Sequence, residues 1–249
     1  MDFSQTVDTH FSGAVREVAF IRNSFGTLSS YGFTSRNTIA CVGVCRDELT
    51  RTFVDEVQKV WGEAFNFSGL GGLLSLGKTG LTAAHHHAPI EDGRERYVYY
   101  VLPHIAIDGS GKSGACYRPG RTEPSTACGA LIAFRNQLIE GIKSVEVDWD
   151  DPEQSLLIRR LLPEMDTNNV PDLVTLTQVV QRVIVTDLER LIGLTINTDI
   201  SDYAVCSGIQ IHGPDQKQYV WPSTMYVVKN GQRTNVSQNE LHNPHLKST

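Results

Sequence analysis

The segment NTIACVGVCRD at residues 37–47 constrains this chain more than any other. A continuous apolar run of that length, bounded by Asn37 and by charge, reads as a buried strand of a parallel or mixed sheet. Directly after it, DELTRTFVDEVQKVWG sets Leu49, Phe53, Val57 and Val60–Trp61 at helical spacing and stops at Gly62. The segment is a strand, a sharp corner and a helix. In α/β sheets, ligands bind at the carboxyl ends of strands, so Cys45-Arg46-Asp47 stands where a site belongs.

The other segments agree with that class. Residues 15–33 read as helical, ending near Gly32, and RERYVYYVLPHIAID reads as a second strand. Between lies a Gly-rich stretch at 66–90, and after it the loop GSGKSGACYRPGRTEPST. Helices are expected at ACGALIAFRNQLIEGI, after VDWDDPEQ with Pro152 in the first turn, and from Pro171 to Ile192. YAVCSGIQIHG and QYVWPSTMYVVKNG alternate like paired strands joined near Gly213–Pro214. The tail from Val236 is polar and expected to fray. With no internal repeat or linker, residues 1–249 read as a single α/β domain with a mixed, largely parallel central sheet flanked by helices.

Several function classes fall away on composition. The 249 residues carry 22 Lys+Arg against 28 Asp+Glu, a formal charge of −6, with a pI near 5.7. No basic excess exists to meet nucleic-acid or membrane phosphates. No apolar run reaches the ~20 residues of a membrane span, and MDFSQTVDTH resembles no secretory signal. A cytoplasmic location is the expectation, or the plastid stroma if a transit peptide has been removed. Five cysteines, at 41, 45, 116, 128 and 206, are too scattered and odd in number for a disulfide framework.

Three residues could converge on chemistry. Cys45 ends the first strand, His104 follows VYYVLP in the second, and Cys128 starts the helix CGALIAF. A Cys2His set leaves the fourth tetrahedral position of zinc open, as catalytic sites do. Cys41, Cys116 and Cys206 read as small apolar packing residues. A competing signal is Gly72-Leu-Leu-Ser-Leu-Gly77-Lys78-Thr79, which satisfies the P-loop pattern and would imply a nucleotidase. Its context is unfavourable, because polar, Gly-broken sequence precedes it and Pro89 follows soon after. In the run His85–His87, neighbouring rings on a helix point about 100° apart, so a pocket-lining or surface role is expected. Asp148, Asp150 and Asp151 around Trp149 read as a solvated helix start.

At Cys45-Arg46-Asp47, His104 and Cys128-Gly129 the chain resembles the limiting-CO2-inducible protein B/C family, which is built like β-carbonic anhydrase. NTIACVGVCRDELT, GLGGLLSLGKTGLTAAHHHAP, LPHIAID and STACGAL carry the resemblance, over roughly residues 37–135. It implies a β-carbonic-anhydrase-like fold, a homodimer, and Zn2+ held by Cys45, His104 and Cys128. The implied activity is reversible hydration of CO2 to bicarbonate. Asp47 takes the place of the family's Asp in an Asp–Arg dyad beside the metal. Position 49 is Leu where C-x-D-x-R has Arg, which leaves Arg46, Arg51 or a residue elsewhere; Arg46 is the expected partner. A histidine within 85–87 is the candidate proton shuttle. The alternative is a catalytically silent relative that keeps the zinc and binds bicarbonate or a partner.

Overall fold

The computed structural model describes residues 3–118, 120–142 and 144–237; the polar tail from residue 238 onward lies outside the described residues. Its strands are β1 (Val15–Arg16), β2 (Ile39–Gly43), β3 (Ala64–Asn66), β4 (Ile90–Glu91), β5 (Arg94–Val101), β6 (His104–Ala106), β7 (Ala115–Cys116), β8 (Ser125–Thr126), β9 (Ser201–His212), β10 (Gln218–Lys229) and β11 (Gln232–Asn235). The α-helices are α1 (Phe3–His10), α2 (Glu17–Ser30), α3 (Arg51–Trp61), α4 (Gly77–His85), α5 (Gly129–Glu140), α6 (Pro152–Leu161) and α7 (Leu173–Thr195).

Every residue of β2 is buried, as its unbroken apolar run requires. Its neighbours β3 and β5 both pair with it in parallel, and β9 pairs in parallel with β5 and β6. Antiparallel β10, β1 and β11 complete one side of the sheet, giving the order β1-β10-β9-β5-β2-β3. The sheet is therefore mixed and largely parallel in its middle, with helices on both faces. Strand alternation divides the core. Ala40, Val42, Val98 and Tyr100 face α2 and α3, while Cys41, Tyr97, Tyr99 and Val101 face α4, α5 and α7.

On α3, Phe53, Val57 and Trp61 fall four residues apart and are all buried. Gly62 ends that helix at φ 90°, a conformation that favours glycine. Trp61 donates its indole N–H to the Tyr100 hydroxyl at 3.1 Å, so the helix is tied to β5 by a buried polar contact as well as by area. Asp172 caps α7 by accepting from the Thr175 N–H at 2.7 Å.

The structure departs from the sequence reading at several places: Val15–Arg16, read as the start of a helix, is a strand paired with β10, and the loop before Cys128 carries the β7–β8 pair. The expected second strand is broken at Leu102–Pro103 into β5 and β6, because Pro103 has no N–H to continue a ladder. The Gly-rich stretch contains a real helix, α4, whose apolar content (Leu81, Ala84) is too sparse to announce it. Among the described residues no helix is long and apolar enough to cross a membrane.

Among the described residues two acids are buried, Asp202, which pairs with Arg94 at 2.7 Å, and Glu17. Glu17, in the first turn of α2, accepts from Thr52 Oγ1 at 2.9 Å and from Gln210 Nε2 at 3.4 Å. Burial pushes its carboxyl up to about 7, against an ordinary value of 4.5. Between those values the native chain holds a proton that the unfolded chain releases, so stability falls as pH rises through that window. Glu17→Gln is expected to remove this slope and to stabilise the protein above pH 7, by up to about 3 kcal/mol. Urea unfolding at pH 5 and pH 8 checks it, and equal differences at both pH values would contradict it.

Candidate metal centre

Because β2, β5 and β9 run parallel, their carboxyl ends share one edge of the sheet. Gly43 pairs with Val101 and Val101 with Ser207, so the chain just beyond each strand emerges at the same level. Cys45 leaves β2 there and forms a bridge to Gly69. Pro103 turns the chain so that His104 starts β6, paired with Gln210 of β9. Cys128 arrives from the other direction, as the extended residue that caps α5. The three ligand atoms all lie within 4.8 Å of one another, and all three residues are buried.

The donors fit a zinc ion. Two thiolates on one tetrahedral zinc, each about 2.3 Å from it, sit about 3.8 Å apart; Cys45 Sγ and Cys128 Sγ are 3.7 Å apart. His104 Nε2 is buried and has no hydrogen-bond partner among the described residues, a costly state for a ring nitrogen unless a ligand meets it. The thiols are already unequal. Cys128 S–H donates to Cys45 and so holds Cys45 well below the ordinary thiol range. Cys128 is correspondingly held above it, although the N–H groups of Leu131 and Ala130 at the start of α5 point at its sulfur. One thiolate is thus favoured before any cation arrives, and a divalent ion would favour both.

Asp47 stands beside the triad. Its Oδ2 is 4.0 Å from His104 Nε2, and its Oδ1 accepts from the Leu49 N–H at 3.1 Å, capping the short 3-10 turn Glu48–Thr50. Thr50 Oγ1 donates to the carbonyls of Cys45 and Asp47 at 2.8 and 2.9 Å and so closes the corner. The guanidinium partner of Asp47 is Arg118, whose Nη2 lies 3.0 and 3.1 Å from the two carboxylate oxygens. The rest of that guanidinium is held by Glu48, Ser125 and the Thr126 carbonyl, so it is fixed on every side.

The expected partner, Arg46, does not pair with Asp47. Its side chain is 61% exposed and turned to Glu153 at 2.7 Å and to the Ser68 carbonyl at 3.1 Å. The reason is local: successive residues leaving a strand point to opposite sides, so Arg46 faces away when Cys45 and Asp47 face the site. Arg51 lies on the exposed side of α3, 3.6 Å from Asp55. Arg118 is 71 residues from Asp47 in a loop closed by the β7–β8 pair, and no spacing rule connects them. Only its place in the loop between the second strand and Cys128 could have singled it out.

None of His85–His87 belongs to the Cys45–His104–Cys128 group, and the glycines of the P-loop match have a structural use. His85 is buried, with Nε2 2.6 Å from the Tyr99 hydroxyl and its ring 4.5 Å from that of Tyr97. Burial pushes it down to about 4, so it packs as a neutral ring between α4 and β5. His86 and His87 are exposed, His87 against Phe65. In the P-loop match, Lys78 and Thr79 point to solvent and the turn Leu70–Gly72, rather than a strand, leads into it. Gly72 (φ 83°) is required by close approach, since a Cβ there would lie 3.0 Å from the Leu102 carbonyl oxygen and 3.4 Å from Pro103 Cα. The glycines support the segment that delivers His104, which corrects the nucleotidase reading of Gly72–Thr79. Cys41, Cys116 and Cys206 are buried and unbridged and do not belong to the group of three.

Comparison with known proteins agrees with this architecture. Residues 15–229 match the family described as limiting CO2-inducible proteins B/C beta carbonic anhydrases. The crystal structure of limiting CO2-inducible protein LCIB aligns at a TM-score of 0.77 with 35% identity, over 95% of this chain and 99% of that one. PtLCIB4, a homolog of LCIB, aligns at 0.83 with 23% identity, over 93% and 98%, a likeness of fold. No curated protein matches the chain. On the extent of the family match and the identity to LCIB, the chain belongs to the limiting CO2-inducible protein B/C family, with its β-carbonic-anhydrase-like fold.

Proposed function

We propose that this protein is a zinc-dependent carbonic anhydrase that interconverts CO2 and bicarbonate. The observation that carries the reading is the buried Cys45–His104–Cys128 triad with the Arg118-held Asp47 beside it. Cys45, His104 and Cys128 would hold the ion with three protein donors and leave its fourth position open. Zinc, when bound, makes water a far stronger acid and so supplies a nucleophile near neutral pH.

The chain's own groups do the rest. Asp47, whose Oδ2 lies 4.0 Å from His104 Nε2, would accept a hydrogen bond from the reacting water and so orient it towards CO2. Arg118 occupies both Asp47 oxygens from behind and prevents the carboxylate from turning towards the metal ligands. A surface depression of about 700 Å3 borders Cys45 and Asp47 and extends over Arg51, Val54 and Asp55 of α3. A catalytically silent relative would keep the same ligand residues, so turnover by the zinc-loaded protein is what separates the two readings. The same reading carries the expectation of a homodimer, which sedimentation equilibrium would measure.

Zinc binding and CO2 hydration both test the reading. Chelator competition should give about one zinc per chain, and Cys45→Ser or Cys128→Ser should weaken binding by more than the roughly 10–100-fold typical of losing an outer-shell partner. Affinity should rise with pH, because the thiols must shed their protons to bind. In stopped-flow CO2 hydration by the zinc-loaded protein, Arg118→Ala should lower kcat/KM by roughly 10²-fold, the scale of losing one fixed electrostatic group in a site. Arg46→Ala should stay within about five-fold of the parent, since an exposed ion pair is worth about 1 kcal/mol or less. A fully zinc-loaded protein with no hydration above the spontaneous rate would overturn the assignment.

A further inference from the structure

The least exposed polar contact near the triad involves a residue that neither the motif nor the mechanism uses. His104 Nδ1 lies 2.9 Å from Nε2 of His212, the last residue of β9, and both imidazoles are buried. Their rings are 5.0 Å apart at 73°, so the contact is a directed hydrogen bond and not a stack. His212 Nδ1 in turn meets Oε1 of Gln218, the first residue of β10. Gln218 is the cross-strand partner of His212, and Ala106 of β6 flanks His212 on its other side. The backbone ladders of three strands therefore fix His212 between the metal-ligand strand and the β9–β10 turn.

We propose that His212 and Gln218 are positioning residues that set the tautomer of His104. This inference rests on the metal reading of the triad. The amide oxygen of Gln218 can only accept, so His212 carries its hydrogen on Nδ1. The neutral His212 ring then offers a lone pair at Nε2 and accepts from His104 Nδ1–H. His104 is left with its lone pair on Nε2, the buried nitrogen that has no hydrogen-bond partner among the described residues. Reversing the Gln218 amide would reverse every proton in the row and place a hydrogen on His104 Nε2, where it would block a cation. A ligating histidine whose second nitrogen is held in this way is both oriented and made more basic.

Zinc affinity and the His104 tautomer together test the proposal in the full-length chain. Gln218 is half-buried at a strand start, so Gln218→Leu removes the acceptor with little risk to folding. Gln218→Glu keeps an acceptor at the same place, and His212→Phe removes the link itself. Chelator competition should show zinc binding weakened roughly 10–100-fold in Gln218→Leu and His212→Phe, with Gln218→Glu remaining near the parent. In 15N NMR of the metal-free protein, His104 should carry its proton on Nδ1 alone, and Gln218→Leu should give a mixture of tautomers. Unchanged zinc affinity in both Gln218→Leu and a folded His212→Phe would overturn the proposal, as would an Nε2–H tautomer in the metal-free parent. If the parent protein binds no zinc, the metal assignment fails by itself, and the His104 tautomer still decides whether the row of hydrogen bonds works as proposed.

Discussion

Parallel pairing of β2, β5 and β9 is the constraint on which the rest of the molecule depends. Parallel strands need helical crossovers, and those crossovers cover both sheet faces, so each strand must be apolar on both sides. The same geometry gathers the carboxyl ends of the strands along one edge, where the backbone ladders stop and side chains are free to converge. Cys45 and His104 owe their proximity to this arrangement, although they lie on different strands and 59 positions apart. Cys128 joins them because α5 begins at that edge and packs Leu131, Phe134 and Leu138 into the core beneath.

Rigidity around the centre comes from many small attachments. Thr50 closes the corner after β2, Gly72 lets the Gly-rich turn press against Leu102 and Pro103, and the β9–β10 pair holds His212 behind His104. Arg118 gathers Asp47, Glu48, Ser125 and Thr126 into one charged cluster at the rim. Fixed groups of this kind matter to a site because a ligand or reacting molecule meets them already oriented, with no ordering cost left to bear.

Much of this was legible in the residues. The apolar run before Cys45 announced a buried strand, the four-residue spacing of Phe53, Val57 and Trp61 announced α3, and the alternation after Tyr203 announced β9 and β10. The short elements were not legible: β3 has three residues, and α4 is too poor in apolar spacing to separate it from a loop. Arg46 illustrates the limit most clearly. Adjacency in sequence made it the expected partner of Asp47, yet consecutive side chains leaving a strand point to opposite sides, and adjacency is what excludes it.

By itself, the sequence determined the class of fold, the two cysteines and one histidine at element tips that could hold a metal, and the family to which the chain belongs. Those are properties of local pattern: hydrophobic period, punctuation by Gly and Pro, and short motifs read in order. Only the tertiary structure decided that Arg118 holds Asp47, that His85 packs between α4 and β5 as a neutral ring, and that His212 and Gln218 stand behind His104. These are contacts across 71, 14 and 108 residues of chain. Side chains that meet from such distances are brought together by sheet order and register, which no local window of sequence encodes.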